Sequence, residues 1–254
     1  MSGIIGSTGS KSGVIGKTEL QRFSKNYDRP GDGQYDVDAY TVMLLHADGN
    51  GTDASGNGHT ASLNGSASFS TSTAKMGTGS LDCNTGNSQN DYFTVASSAD
   101  FSFGTNPFTI DFWAKIRDTE GGTNLFLIGS HNTAGEIKFR ATTNSDSTGL
   151  NLESVPTGGG SQFYINSVPD NNIPIDVWFH VALVRTGNVF SLYYNGRHEG
   201  KVDNTGASGI SSTPIYMGTR GVSTQNLDGC LDEVRISSIA RWNSGFTVYG
   251  TDSV

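Results

Sequence analysis

The clearest order in this chain is a two-residue alternation between positions 108 and 116. Phe108, Ile110, Phe112, Ala114 and Ile116 interleave with Thr109, Asp111, Trp113 and Lys115, the period of a strand with one apolar face. A second stretch, 178–185, is apolar from Trp178 onward. The polar turn Thr186, Gly187, Asn188 joins it to 189–194, which ends at Asn195 and Gly196. An Asn-Gly pair suits the positive φ angles of a type I′ turn, so 197–202 returns as the third strand of a meander. Shorter runs stand at 40–46, 80–83, 92–95, 125–129, 136–141, 149–152, 163–166, 215–218 and 230–236, with a long polar loop at 48–59. Many short strands between turn residues predict an all-β fold of two antiparallel sheets packed as a sandwich. The one helical candidate is a short turn at 238–242.

Residues 1–37 break this pattern. Ser2-Gly3-Ile4-Ile5-Gly6 returns ten residues later as Ser12-Gly13-Val14-Ile15-Gly16. Such a Gly-rich segment cannot bury a core of its own. Its isolated aliphatic pairs, Ile4 with Ile5 and Val14 with Ile15, read as anchors that order on a partner surface. Pro30-Gly31-Asp32-Gly33 is a strong break before the folded part. The expected division is an anchoring arm over 1–37, a sandwich over 38–245 and a tail over 246–254.

Composition supports this reading. With 34 glycines in 254 residues and 16% charged residues, helix is disfavoured and short strands with many turns are favoured. The net charge is −8, while the first 30 residues carry five basic against two acidic side chains. The remainder is therefore more acidic still, which argues against nucleic acid as a partner. The basic arm is either a solvated tail or a contact for an acidic partner. No secretory signal pattern and no membrane-spanning run is visible. Cys83 and Cys230 match no metal spacing; they are either two thiols or a pair brought together by the sandwich.

The chemistry points to binding rather than catalysis. A glycosidase needs two carboxylates on one cleft. The six glutamates stand at 19, 120, 136, 153, 199 and 233, and only Asp232 with Glu233 form a close pair. As neighbours on a strand, these two are expected on opposite faces. No Gly-x-Ser-x-Gly or His-Glu-x-x-His motif occurs, and no catalytic residue is expected. For a ligand, Trp113 with Asp111 and Tyr193 present aromatic faces and a carboxylate on the polar side of their strands. They form a candidate sugar surface, or the second face of the sheet is also covered and Trp113 is core. Asp48, Asn50, Asp53 and Asn57 in one Gly-rich loop are oxygen donors or turn formers.

Four segments carry a family resemblance. They are Leu44-Leu45-His46-Ala47-Asp48-Gly49 leading to Asp53-Ala54-Ser55-Gly56-Asn57-Gly58-His59; Phe108-Thr109-Ile110-Asp111-Phe112-Trp113; the run from Trp178 to Gly196; and Leu227-Asp228-Gly229-Cys230-Leu231-Asp232-Glu233-Val234-Arg235-Ile236. In this order they resemble a laminin-G-like, concanavalin A-like jelly roll, with Leu227 where Phe is usual. The resemblance implies carbohydrate or protein binding and a calcium ion shared by Asp48 and Asp232. The arm from Gly6 to Leu20 is similar to the opening of many tail and virion-surface proteins of marine bacteriophages. Together they imply a non-enzymatic virion protein, as capsid decoration or tail fibre, made in the host cytoplasm and released by lysis. Its arm would hold other virion proteins, it would form a homo-oligomer, and its jelly roll would meet a host-surface glycan. The rivals are a carbohydrate-binding module outside any virus and a divergent glycoside hydrolase.

Overall fold

The computed structural model describes residues 33–83, 91–118, 124–130, 136–144, 147–155, 163–167, 173–203, 213–219 and 226–248. Within 136–144, 147–155 and 163–167 it describes the backbone, and Ile165 alone of the side chains. Ile4, Ile5, Val14 and Ile15 lie outside these residues.

The strands are β1 Thr41–Leu45, β2 Ala61–Asn64, β3 Ser68–Ser70, β4 Ser80–Cys83, β5 Tyr92–Val95, β6 Phe108–Asp118, β7 Asn124–Ser130, β8 Glu136–Asn144, β9 Ser147–Val155, β10 Phe163–Ser167, β11 Trp178–Thr186, β12 Val189–Tyr194, β13 Arg197–Asp203, β14 Ile215–Met217 and β15 Asp228–Ser237. They form two antiparallel sheets. The larger has eight strands in the order β13-β12-β11-β6-β15-β4-β3, with β1 also paired to β15. The other has seven, in the order β10-β9-β8-β7-β14-β5-β2. This is the expected sandwich. The meander is present as β11-β12-β13, and Asn195 and Gly196 take φ 47° and 77° at its second turn, both positive as a type I′ turn demands.

The alternation at 108–116 places its apolar members as expected. Phe108, Ile110, Phe112, Ala114 and Ile116 all join the main core. They stand in register with Phe179, Val181 and Leu183 of β11 on one side and Leu231 and Ile236 of β15 on the other. Phe93, Ile215 and Met217 close the core from the second sheet. Leu227 is fully buried, so the swap for Phe keeps its core role.

The other face of β6 is also buried, because irregular segments around residues 35, 76 and 242–248 roof it. Leu44 and Trp113 pack with Tyr35, Met76 and Val248, and Ala182, Val184 and Tyr193 pack beneath Trp242 and Phe246. The folded part therefore takes in Gln34, Tyr35 and Val248, a few residues beyond the limits of 38 and 245. These flanking residues have no periodicity and cover the sheet as irregular backbone, so the strand pattern could not reveal them. The turn at 238–242 is not helical. Thr109 Oγ1 donates to Ile239 O at 2.7 Å and accepts from Arg241 N at 2.9 Å, so β6 takes the backbone groups that a helix would use. A 3₁₀ turn stands instead at Ala99–Phe101, capped by Ser98.

Register also decides the cysteines. Gly229 pairs with Cys83, and Cys230 pairs with Asp82. That one-residue offset sends the two thiols to opposite faces of the sheet. Cys83 joins the main core, while Cys230 receives Arg117 Nη1 at 3.6 Å. Both are free.

Candidate functional site

The residues expected to bind a ligand do share one face. Asp111, Trp113 and Tyr193 all project from the outer side of the eight-stranded sheet, but their exposures are 0%, 0% and 1%. Lys75 Nζ lies 4.5 Å from the Trp113 ring centroid. Phe246 packs on Tyr193 with ring centroids 5.4 Å apart and stacks on Trp242 at 3.9 Å. Asp111 accepts from Arg235 Nε at 3.0 Å and from Nη2 at 2.7 Å, a bidentate pair with both residues buried. His180 Nε2 stands 3.5 Å from the same carboxylate. Burial works against the charge on Asp111, but Arg235 and His180 hold its carboxyl at about 2. Burial lowers the affinity of His180 for a proton, against the pull of Asp111. The Arg235 guanidinium lies 4.0 Å from the Tyr35 ring centroid. These groups, as packed, hold the roof to the sheet.

A second cluster gathers where β1 and β15 meet. The closing strand contains a bulge: Asp232 faces Trp113 and Arg235 faces Asp111, so three steps on β15 match two on β6. Glu233 sits in this bulge with φ 50°. The expected alternation fails there, and Asp232 and Glu233 are not set on opposite faces. Asp232 accepts from Lys75 N at 2.7 Å and Met76 N at 3.0 Å, and Glu233 accepts from Tyr35 N at 2.8 Å and lies 2.8 Å from His46 Nδ1. Tyr35 and Met76 belong to one packed layer, so both carboxylates reach the same roof. Burial pushes the Asp232 carboxyl up to about 8, even against the N–H groups of Met76 and Lys75. His46 is shifted by burial in one direction and by its Glu233 partner in the other, and the partner prevails, raising it.

Asp48 completes this cluster. It accepts from Gln34 Nε2 at 2.6 Å and from Thr78 N and Thr78 Oγ1, and the same Gln34 amide reaches Glu233 Oε1 at 3.3 Å. Calcium takes six to eight oxygen ligands. Here the groups aimed at the carboxylates of Asp48 and Asp232 are mostly N–H donors. Among the described residues no group of three or more His, Cys, Asp or Glu is arranged to hold a metal ion. As placed, this set does not fit a calcium ion. The loop behind it is a fastener: Asp53 accepts from Leu44 N, Ser55 N and His59 N, and Asn57 Nδ2 donates to Val42 O at 2.9 Å. Burial opposes the charge on Asp53, but these donors win and hold its carboxyl below the usual range.

The seven-stranded sheet has an aromatic surface that the strand pattern did not single out. On β5, Phe93 and Val95 face the core and Tyr92 and Thr94 face away; on β14, Ile215 and Met217 face the core and Tyr216 faces away. Tyr216 pairs with Thr94 in register. The Tyr92 and Tyr216 rings stand 5.9 Å apart, inclined by 33°, and both are partly exposed. Asn64 of β2 lies opposite Tyr92, and its Nδ2 donates to Thr94 Oγ1 at 3.2 Å. The alternation of 92–95 was visible, but the pairing of β5 with β14, more than a hundred residues away, was not.

With both faces described, the kinship of the chain can be placed. A family model described as the concanavalin A-like lectin/glucanases superfamily matches residues 85–243. The chain belongs to this superfamily. No curated protein matches it, but solved structures do. The binding domain of Paraclostridial mosquitocidal protein 1 is 19% identical with a TM-score of 0.64, covering 80% of this chain and 50% of that one. Domain 4 of AbnA, a GH43 extracellular arabinanase of Geobacillus stearothermophilus, was solved with arabinotriose. It is 15% identical with a TM-score of 0.58, covering 79% of this chain and 93% of that one. Botulinum neurotoxin type C, whose cell entry depends on two ganglioside molecules, gives 16% identity, a TM-score of 0.62, and coverage of 79% and 48%. At these identities the likeness is one of fold, and the chain spans about half the length of the toxin chains.

Proposed function

We propose that this protein is a non-enzymatic glycan-binding jelly roll that its N-terminal arm fixes to a bacteriophage particle. The observation that carries the binding reading is the contrast between the two outer sheet faces. One is closed by irregular segments of the chain itself; the other keeps partly exposed aromatic and hydroxyl side chains at its β14-β5-β2 end. A concave or flat site with aromatic faces and a few polar groups is what a sugar needs. The non-enzymatic reading is supported by the fate of the acid pair: Asp232 and Glu233 have no exposed surface and are occupied by backbone donors. The structures with arabinotriose and with ganglioside dependence support a glycan ligand, by fold alone.

The particle reading rests on the arm. Its likeness to virion-surface proteins comes from the sequence, and the fold adds a firm root: Gln34 and Tyr35, just after the arm, are clamped by Asp48 and Glu233. A pull on the arm is thereby passed to the central strand β15. The test has two arms. A glycan array probed with the full chain should show retention on a defined set of sugars; an array with no retained sugar overturns the binding reading. Ile5→Asp combined with Ile15→Asp should abolish incorporation into particles while far-UV dichroism of the purified chain is unchanged. Normal incorporation overturns the anchor.

A further inference from the structure

We infer that the β14-β5-β2 end of the seven-stranded sheet binds a neutral polysaccharide, with sugar rings laid on Tyr92 and Tyr216. This rests on the glycan-binding reading and names its face and its ligand class. The two rings are fixed by strands whose alternate residues, Phe93, Val95, Ile215 and Met217, are anchored in the core. A rigid pair of tyrosines gives large amphipathic contact area at little entropy cost, since each ring has few torsions left to freeze. An inclination of 33° at 5.9 Å makes a shallow, slightly folded platform rather than an edge-to-face pair. Such a platform offers π faces to the C–H faces of neighbouring sugar units.

The polar groups beside it suit hydroxyls. Asn64 is tied through Nδ2 to Thr94 Oγ1 and, at 3.5 Å, to Ser62 O. That leaves the Asn64 amide oxygen as an acceptor at the border of the platform, with the Thr94 hydroxyl and the exposed Ser62 nearby. Among the described residues at this end of the face, namely Ser62, Asn64, Tyr92, Thr94 and Tyr216, none is charged. Asp91, next in sequence, is 3% exposed and occupied by Ser66 N at 2.6 Å. By register the nearest charged position on this face is Lys138, two strands from Tyr216 across Gly129; the β14-β5-β2 end itself has no charge among its described side chains, which on a chain of net charge −8 disfavours a polyanion and leaves neutral sugars favoured.

Affinity gel electrophoresis of the full chain tests this with arabinan, mannan and β-1,3-glucan as neutral polymers and alginate as the acidic one. The expected result is retardation by at least one neutral polymer and none by alginate. Tyr92→Ala and Tyr216→Ala should each weaken that retardation roughly tenfold or more, while Tyr92→Phe and Tyr216→Phe keep most of it. Thermal melting of each variant shows whether it is folded, and Thr94→Ala offers a milder change on the same face. If the native chain is retarded and the folded alanine variants bind as well as it does, the face is wrong while the glycan reading stands. Retardation by alginate alone overturns the neutral class. No retardation by any polymer, together with an empty glycan array, overturns both.

Discussion

Trp113 shows how one residue can look like a binding group and act as a fastener. Its ring is fully buried between β11, β15 and the roof, and its Nε1 has no hydrogen-bond partner among the described residues. A buried N–H that makes no bond has lost its hydration for no return, so removing it offsets part of the packing lost with the smaller ring. Trp113→Phe should therefore cost roughly 1 kcal/mol, whereas Trp113→Ala, which empties the site, should cost roughly 3–5 kcal/mol by urea denaturation. Asp111 is the charged counterpart. Its carboxyl is held at about 2 against 3.8 when free, so the folded state binds fewer protons than the unfolded one in between. The stabilisation from this pair is complete above about pH 4 and is lost as pH falls through 2. Asp111→Asn leaves Arg235 buried opposite a neutral amide. It should lower stability by roughly 3–5 kcal/mol at pH 7, with the gap to the native protein narrowing as the native carboxylate is protonated in acid. Denaturation at pH 7 and pH 2.5 measures both values.

Among the elements, the turn between β12 and β13 has the most to lose. Gly196 has φ 77°, and a Cβ there would strike the carbonyl oxygen of Phe246. That contact is where the C-terminal segment crosses the sheet, since Phe246 N donates to Gly196 O at 2.8 Å. Gly196→Ala should cost roughly 2–3 kcal/mol and unstack Trp242 from Phe246, which tryptophan emission would register as a red shift. The turn was legible in the sequence because Asn-Gly between apolar runs is a local signal. So were the strands whose apolar residues alternate, and the inward row of β6. The bulge at Glu233 was not, because nothing local distinguishes Asp-Glu-Val in a regular strand from the same residues around a positive φ. The ligand trio was only half legible. Alternation placed Asp111, Trp113 and Tyr193 together on one face, but whether that face meets water depended on Tyr35, Met76 and Val248, which come from non-periodic segments. The Tyr92 and Tyr216 pair was hidden for the opposite reason, since each is ordinary on its own strand and only sheet order joins them.

For the whole molecule, the boundary between arm and body follows from what the acid cluster holds. Removing residues 1–32 should leave the thermal midpoint unchanged, because among the described residues the N-terminal contacts to the acid cluster begin at Gln34 and Tyr35. Removing 1–35 takes away the N–H that satisfies Glu233 and the ring against Arg235. A buried carboxylate stripped of its donor is costly, so this truncation should lower stability by roughly 2–4 kcal/mol, read from the same melting experiment.

The placement of β15 also bears on how the chain comes to be folded. It lies between β6 on one flank and both β4 and β1 on the other, yet it is the last strand among the described residues. Until residues 228–237 leave the ribosome, nothing joins β1, the β4-β3 pair and the β6 block, and the larger sheet exists as three separate pieces with open edges. Closure of that gap spans nearly two hundred residues, as in the pairing of Leu45 with Val234. Contacts of such long range make folding slow and leave nascent edges exposed to aggregation. The sandwich is thus complete only once residues 228–237 have joined it, with β15 acting as the keystone.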